Sequence, residues 1–233
     1  MNSEGSRQKR VAVRDMFARI AERYDLLNRL MTFGQDRAWR RQLIDGIKLS
    51  PGERLLDVGA GSGDLAFEAL ARAPDITVIA CDFTPEMIAV GRKRPASDAI
   101  DWVLADAEYL PFKADAFDAV VSGFLLRNVT RLERALQEQH RILKPDGRLA
   151  ALDTTPPQSA WLGPLMRFHF YRVIPTLGRL FAGDVEAYLY LPASTDAFIT
   201  AGELAGKLKQ LGFNRIGYIK RMLGAIALHW AQK

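Results

Sequence analysis

The sequence is poor in the residues that most often carry catalysis or bind metals. Its 233 residues include one cysteine and three histidines. Cys81 cannot form an intramolecular disulfide, and its apolar neighbours predict a small core residue on a strand. No set of His, Cys and carboxylate side chains has the spacing of metal ligands. We therefore expect neither a disulfide framework nor a metal site.

Long apolar runs are absent as well. No stretch approaches the ~18 uninterrupted apolar residues of a membrane-spanning helix, and the start, MNSEGSRQKR, lacks the apolar region of a secretory signal. We expect a cytoplasmic protein whose residues 1–12 form a disordered basic tail. Between Arg7 and Arg41, ten Lys or Arg stand against four Asp or Glu. This basic region is either the solvated face of two helices or a surface for an anionic membrane or nucleic acid.

Apolar patterns in the rest of the chain predict one α/β domain, residues 13–233. A helical stripe over 14–31 and a second helix near 39–47 predict an N-terminal helical cap, about 13–48. Strand-like runs rich in Val, Ile and Leu then alternate with helical lengths of sequence, at 54–58, 76–81, 101–105, 117–122 and 148–153. Two last strand patterns leave no room for a crossover helix. We predict a doubly wound, Rossmann-like, mostly parallel seven-stranded sheet with a terminal antiparallel hairpin.

The stretch LLDVGAGSGDL, residues 55–65, places three glycines where the first strand turns into a helix. An open α/β sheet binds its ligand at this edge, and glycine lets the backbone approach a ligand closely. A dinucleotide site uses G-x-G-x-x-G, so its third glycine would be residue 64. Asp64 stands there instead, and its carboxylate would repel a pyrophosphate. A nicotinamide-dependent oxidoreductase is therefore disfavoured, and a tight turn without a ligand is the structural alternative.

The spacing that is present, D-x-G-x-G-x-G over 57–63, resembles the first motif of class I S-adenosyl-L-methionine-dependent methyltransferases. The terminal hairpin is typical of the class I methyltransferase fold. The resemblance implies that the cofactor contacts Asp57, Gly59, Gly61, Ser62 and Gly63. It further implies that Asp82, which closes the second strand, accepts the ribose hydroxyls. In ADAEYLPF, the Asp106 side chain and the Ala107 backbone amide would bind the adenine, although a polar turn would explain this stretch too.

Three segments outside these motifs are similar to the UbiE/MenG/COQ5 family of quinone-biosynthesis C-methyltransferases. They read MFARIAERYDLLNRLMTFGQDRAWRR, FLLRNVTRLERAL and YRVIPTLGRLFAGDVEAYLYLPAS, and the similarity runs from about residue 14 to the end. It implies C-methylation of a prenylated hydroquinone, either demethylmenaquinol-like or a ubiquinol-pathway intermediate. The family commonly has a serine near the cofactor where this chain has Gly123. The adjacent Ser122 is our candidate for that contact.

Three residues are candidates for the chemistry. A hydroquinone ring carbon becomes nucleophilic when the ortho hydroxyl loses its proton, so a phenolate partner or a proton acceptor would help. In the implied fold, Arg127 and Asn128 follow the fourth strand and face the mouth of the site. Arg127 would stabilise the phenolate or orient a water that takes the proton, Asn128 would hold the second ring oxygen, and Tyr24 would close over the cofactor. The alternatives are a surface ion pair, a helix cap and helix packing, respectively.

The segment from about 156 to 195 is expected to form a lid. Residues 156–182 combine three arginines, no acid and many large apolar side chains, which suits either a lid packed on its own domain or a face that meets lipid headgroups. We expect peripheral contact with the inner face of a membrane through these residues and the basic N-terminal region. Nucleic acid is disfavoured, because SGFLLRN lacks the N-P-P-Y type of element of base-methylating enzymes. A homodimer, another small apolar or phenolic substrate, and a non-catalytic role in a quinone-synthesis assembly stay open.

Overall fold

The computed structural model of the protein describes residues 3–156 and 185–233, together with Phe168, Arg172 and Thr176. Within these residues the strands are β1 (Arg54–Val58), β2 (Thr77–Asp82), β3 (Ile100–Leu104), β4 (Phe117–Gly123), β5 (Leu143–Thr154), β6 (Asn214–Arg221) and β7 (Ile226–Gln232). The helices there are α1 (Ser3–Met31), α2 (Asp36–Ile47), α3 (Asp64–Arg72), α4 (Pro85–Arg92), α5 (Leu132–Ile142), α6 (Val185–Asp196) and α7 (Ala201–Gln210).

The seven strands form one sheet in the order β3-β2-β1-β4-β5-β7-β6. Neighbours among β1 to β5 pair in parallel, whereas β7 runs antiparallel to both β5 and β6. The predicted fold class, a doubly wound, mostly parallel sheet with a terminal antiparallel hairpin, is therefore confirmed. β5 begins at Leu143, five residues before the predicted run at 148, because Leu143 already pairs with Phe117 of β4. The register shifts between this pair and Arg148, and Asp146 in between has a φ of 62°.

Helices cover both faces of the sheet, and this explains why its strands read as continuous apolar runs. Successive side chains of a strand point to opposite faces. Leu55 and Leu56 are both fully buried, yet Leu55 packs in the core that includes α2 and α3, and Leu56 in the core that includes α5 and α7. Apolar residues are thus needed at consecutive positions, as is usual for a parallel sheet.

The N-terminal residues correct one expectation, since α1 already includes residues 3–12, which we expected to be disordered. Two contacts anchor this first part of the helix. Arg10 forms an ion pair of 2.8 Å with Asp106, and Lys9 Nζ donates to the carbonyl oxygen of Val129 at 3.3 Å. Both partners lie in loops about a hundred residues away, so the local sequence of α1 does not predict these contacts.

The predicted lid, about 156–195, lies mostly outside the described residues. Its last part forms α6, where Tyr190 packs in a cluster with residues of α1. Among the residues that the structure describes, no helix is both long and apolar enough to cross a bilayer.

The carboxyl edge of the sheet gathers the loops that form the site. The loops after β1, β2, β3 and β4 all leave the sheet there, and α1 lies across them. Because β7 is antiparallel to β5, the turn between β6 and β7 reaches the same edge. The Thr155 amide, just after β5, donates to the carbonyl oxygen of Ala225 at 2.9 Å.

Candidate active site

A cavity opens at the carboxyl edge, between the four loops and the inner face of α1. Its empty space measures about 1020 Å³ including the open mouth, which is at the upper end for small-molecule sites (~300–1,000 Å³). Of the residues singled out from the sequence, the cavity lining includes Tyr24, Asp57, Gly59, Gly61, Ser62, Asp82, Asp106, Ala107 and Asn128. Three others, Gly63, Ser122 and Arg127, are not in the lining.

All three glycines of the glycine loop have positive φ, +67° at Gly59, +58° at Gly61 and +87° at Gly63, a conformation that favours glycine. Gly59 and Gly63 are crowded as well, since a Cβ on Gly59 would lie 2.6 Å from the Leu125 side chain and one on Gly63 would lie 2.6 Å from Trp102. At Gly61, by contrast, a Cβ would meet no atom closer than 4.0 Å. The space beside Gly61 is therefore open toward the cavity, as a close-lying ligand requires.

Asp57 supplies a buried carboxylate that lacks a full set of partners. Its Oδ2 accepts a hydrogen bond from the Ala66 amide at 3.1 Å, whereas Oδ1 is buried and has no partner. Burial raises the pKa of Asp57 to about 7, against the lowering effect of the Ala66 hydrogen bond, and the nearby charge of Asp82 adds to the increase. A cation in the cavity would stabilise the ionised form, so Asp57 fits a ligand that carries an ammonium group.

Asp82 organises the loop and keeps capacity for a ligand. Its two carboxylate oxygens accept hydrogen bonds from the Gly61 and Thr84 amides, each at 2.8 Å. Each oxygen has a second lone-pair direction, so two ligand hydroxyls can still be accepted. Burial raises the pKa of Asp82, although these backbone donors lower it. The arrangement suits a ribose, and it also shows that Asp82 supports the glycine loop directly.

The Asp106 end of the cavity is capped by α1. The Asp106 Oδ1 accepts from the Glu108 amide at 2.9 Å, and Oδ2 accepts from Arg10 at 2.8 Å. Ala107 lies next to it and is buried. A ligand amine that reached Asp106 would share it with Arg10 or displace that side chain. Arg10 could not be predicted as a site residue, because a lone arginine in a basic helix carries no local signal.

A second contact ties α1 to the glycine loop. Ser62 Oγ donates to both carboxylate oxygens of Asp25, at 2.7 and 2.8 Å, so its hydroxyl already has a partner within the protein. Burial raises the pKa of Asp25, and the charge of Asp64 raises it further. Asp25 follows Tyr24 in the RYD stretch, where only the tyrosine was predicted to lie at the site.

Two arginines surround Asp64, the acid that replaces the third dinucleotide glycine. Arg94 contacts it at 2.7 Å and Arg40 at 3.3 Å. Although burial alone would raise the pKa of Asp64, these two guanidinium groups hold it below its usual value. Asp64 is therefore ionised, and its charge is matched by protein cations. A pyrophosphate at this position would meet that charge, which agrees with the exclusion of a dinucleotide.

Tyr24 and Asn128 form part of the cavity wall. Tyr24 packs edge-on against Phe17, with ring centroids 5.6 Å apart. Burial raises the pKa of Tyr24, although the charge of Arg127 lowers it, so the phenol stays protonated at neutral pH. The Asn128 amide nitrogen donates to the carbonyl oxygen of Phe124 at 2.7 Å, and its Oδ1 is buried without a partner. Asn128 thus has an acceptor available to a ligand, whereas the Tyr24 hydroxyl already shares a hydrogen bond with the Asn28 side chain.

Arg127 lies behind this wall, and the expectation that it faces the mouth needs correction. Its side chain is only 6% exposed and pairs at 2.7 Å with Asp153, which is 4% exposed. Arg127 also donates to the carbonyl oxygen of Phe124 at 3.2 Å. The physical reason is the acid at the end of β5, whose buried charge requires a cation. The surface ion pair that we considered as an alternative is in fact a buried pair.

Ser122 also lies away from the cavity. Its side chain is 1% exposed within β4, and its hydroxyl oxygen has no hydrogen-bond partner. Tyr190, by contrast, was overlooked. Its hydroxyl is buried without a partner, and burial raises its pKa, although the nearby charge of Arg127 lowers it. It belongs to the same cluster as Tyr24, and the Y-x-Y-L stretch was the signal that could have found it.

Among the described side chains, no group of three or more His, Cys, Asp or Glu is arranged to hold a metal ion. The cavity instead offers carboxylates with spare acceptor capacity at three points, Asp57, Asp82 and Asp106. S-adenosylmethionine carries one matching set of groups for each of these points: its ammonium group, its two ribose hydroxyls and its adenine amine. The residues present fit that cofactor.

Comparisons with known proteins agree with this geometry. The ubiE/COQ5 methyltransferase family matches residues 3–233. A ubiquinone/menaquinone biosynthesis C-methyltransferase UbiE from Desulfotalea psychrophila is 42% identical over 221 residues, which are 95% of this chain and 90% of that protein. A demethylmenaquinone methyltransferase from Thermus thermophilus is 41% identical over 216 residues, 92% of this chain and 98% of that protein.

Solved structures show the same fold at low sequence identity. A SAM-dependent methyltransferase from Thermotoga maritima, described as a possible histamine N-methyltransferase, has a TM-score of 0.64 and 20% identity and covers 94% of this chain and 99% of its own. An N-methyltransferase from Haemonchus contortus, in complex with phosphomonomethylethanolamine and S-adenosylhomocysteine, has a TM-score of 0.70 and 14% identity. It covers 95% of this chain and 60% of its own.

Proposed function

The chain belongs to the ubiE/COQ5 methyltransferase family, and from this membership we propose that it methylates a ring carbon of a prenylated hydroquinone. It is an S-adenosylmethionine-dependent methyltransferase of quinone biosynthesis. The relatives named above act on the ubiquinone and menaquinone pathways, so the substrate is either a demethylmenaquinol-like naphthoquinol or a ubiquinol-pathway benzoquinol. The finer assignment of residues to roles rests on the cavity.

One observation carries the proposal: a single cavity joins the cofactor loops to a wall that contains the Tyr24 hydroxyl and the unpartnered Asn128 Oδ1. Gly61 and Asp82 lie on one side of this cavity, and Tyr24 and Asn128 lie on another. A methyl donor and a ring that accepts the methyl group need such a shared space, because positioning supplies ~7–11 kcal/mol of the barrier when two reactants are held in line.

The cofactor, when bound, supplies an electrophilic methyl group on a sulfonium. Asp57 would accept its ammonium group, Asp82 its two ribose hydroxyls, and Asp106 with the Ala107 amide its adenine. We assign Ser62 to a different task from the one expected, since its hydroxyl holds Asp25 of α1. α1 would then exclude water from the loaded site.

The substrate side requires little of the protein. The ring carbon gains a methyl group and loses its proton, so the product is again a hydroquinone and no oxidant or reductant is consumed. Asn128 Oδ1 and the Tyr24 hydroxyl would each bind a quinol oxygen. Tyr24 would donate rather than act as a base, because its pKa is raised. We assign the proton to water at the open mouth.

Arg127 would act from behind the wall. Its guanidinium is close enough to Tyr24 and Tyr190 to influence the pKa of both, and its Nε is buried without a partner. A cation there favours an anionic quinol oxygen, but the Asp153 carboxylate offsets much of the charge. We therefore propose that Arg127 positions Asn128 and its neighbours rather than bonding the phenolate.

A prenylated substrate resides in a membrane. We accordingly propose that the protein makes peripheral contact with the inner face of a bilayer. The helical cap and the lid would shield the quinol ring while the prenyl tail extends out of the site. Residues 156–182 stay part of this proposed lid, although they fall mostly outside the residues described.

The decisive experiment incubates the protein with methyl-labelled S-adenosylmethionine and a panel of prenylated naphthoquinols and benzoquinols. We expect label in one class of quinol under reducing conditions and none in the matching quinones, because the quinone ring is electron-poor and has no phenol to ionise. Equal labelling of both redox forms, with reductant excluded, would refute the mechanism. Cofactor binding without any turnover would favour the non-catalytic role instead.

A further inference from the structure

The carboxylate that we assign to the adenine amine already has a cationic partner within the protein. Arg10 Nη1 donates to Asp106 Oδ2 at 2.8 Å, and both residues line the cavity. The contact therefore lies inside the site that the cofactor has to enter. It joins α1 to the loop after β3 across 96 positions of the chain, so it does not follow from local helix geometry.

Asp106 has one carboxylate oxygen left for a partner outside its own turn. Its Oδ1 accepts from the Glu108 amide at 2.9 Å, and its backbone carbonyl oxygen accepts from the Tyr109 amide at 2.9 Å. Oδ2 is the remaining acceptor, and Arg10 holds it. Because Arg10 lines the cavity as well, its guanidinium occupies space on the ligand's side of that oxygen. An adenine amine and the guanidinium, which are both N–H donors, therefore compete for one acceptor.

The attachment of α1 does not depend on this ion pair. Lys9 Nζ donates to the carbonyl oxygen of Val129 at 3.3 Å, and the Asp25 carboxylate accepts from Ser62 Oγ at 2.7 and 2.8 Å. Apolar side chains of α1 are buried in a cluster of their own. The Arg10 side chain can thus leave Asp106 while α1 stays in place.

We propose that Arg10 is an intramolecular competitor of the cofactor, which occupies the adenine subsite and moves into solvent when the adenine amine binds Asp106. The side chains of Arg10 and Asp106 are 30% and 21% exposed, so their ion pair is weak enough to be displaced. Return of Arg10 to the carboxylate would favour release of S-adenosylhomocysteine after transfer. The inference rests on the proposed function, from which it takes the adenine role of Asp106.

The test compares Arg10→Gln with the wild type in calorimetric binding of S-adenosylmethionine and S-adenosylhomocysteine. Glutamine has nearly the helix propensity of arginine, so α1 should be retained, as circular dichroism would verify. We expect the variant to bind both ligands about two- to fivefold more tightly, because a weak competing ion pair is removed. This advantage should shrink as salt increases, since salt weakens the pair in the wild type.

Arg14→Gln is the matched control. Arg14 lines the same cavity from the same helix, but its guanidinium donates to the neighbouring Asp15 at 2.9 and 2.7 Å. Its loss removes an equal charge without freeing Asp106, and the affinity for S-adenosylhomocysteine should stay unchanged. An equal gain in this control, or a gain for the sulfonium ligand alone, would overturn the proposal in favour of a general charge effect. Unchanged or weaker binding by Arg10→Gln would overturn it as well.

Asp106→Ala separates this inference from the proposed function. If Asp106 binds the adenine, this variant should bind both ligands more weakly than the wild type, and adding Arg10→Gln to it should change nothing further. Unchanged affinity of Asp106→Ala would contradict the adenine role itself, and the inference with it. Weaker binding by Asp106→Ala, together with a full gain from Arg10→Gln on that background, would overturn only the competition.

Discussion

Replacing Asp57 by asparagine should stabilise the cofactor-free protein at alkaline pH and weaken cofactor binding at the same time. The folded-state pKa of about 7 lies roughly three units above the ordinary value of 3.8. At about 1.4 kcal/mol per unit, the ionised carboxylate costs the folded state about 4 kcal/mol once both states are ionised. Burying the unpaired amide of the asparagine should reduce this gain in stability by about 1–3 kcal/mol. We expect a net gain of about 1–3 kcal/mol at pH 8.

The sign of the pH dependence follows from the raised pKa. Below about pH 3 the carboxyl group is protonated in both folded and unfolded chains, and Asp57 imposes no penalty. As the pH increases toward 7, the unfolded chain ionises first, so the wild type loses stability that the variant keeps. Between pH 5 and pH 8 the wild type should lose about 2–3 kcal/mol more than the Asp57→Asn variant.

Urea unfolding of both proteins at these two pH values measures the difference, because the other titrating groups cancel. Asp101→Asn, at an exposed position of β3, is the matched control and should show no such pH-dependent difference. Calorimetry should show at least tenfold weaker S-adenosylmethionine binding to the Asp57 variant at pH 8. Parallel stability profiles, or equal cofactor affinity, would refute the assignment of Asp57 to the ammonium group.

Two further substitutions test the remaining site assignments. Asp82→Ala should raise the Kd for S-adenosylmethionine about 5- to 150-fold, because two ribose hydrogen bonds of ~0.5–1.5 kcal/mol each are lost; an unchanged Kd in a folded variant would reject the ribose role. Arg127→Ala should cost about 3–5 kcal/mol of stability in urea unfolding, because it leaves the Asp153 carboxylate buried without a cation. Arg127→Lys should recover part of that loss, since lysine restores the charge but not the planar fork of the guanidinium. If Arg127→Ala instead loses much of its kcat at unchanged stability, Arg127 stabilises the phenolate as first expected.

The fold could be predicted because its signals are local and repeated. Each parallel strand contains an apolar run, and most are followed by a helix, although the chain passes from β3 to β4 without one. The glycine loop was predictable for the same reason, since its spacing is contiguous. The start of α1 was not, because its anchors, Asp106 and Val129, lie in distant loops.

The site residues whose position depends only on the end of one strand could be predicted from the sequence. Asp57 and Asp82 lie at the carboxyl ends of β1 and β2, and Asp106 follows β3, so topology places all three in one cavity. Arg127 also follows a strand, but its orientation depends on an acid of β5 that the sequence does not connect to it. Asp25 and Arg10 reach the cavity only because α1 crosses it, and no periodicity in α1 distinguishes them from its other polar residues.

The position of the transferred methyl group tests the central claim most directly. S-adenosylmethionine carrying a ¹³C methyl group is incubated with a reduced prenylated naphthoquinol or benzoquinol, and the product is examined by ¹³C NMR. We expect the label at a ring carbon, as a methyl group bonded to carbon, with the hydroxyls unmodified. Label on oxygen as a methoxy group, or transfer to no quinol by a protein that binds the cofactor, would contradict the account.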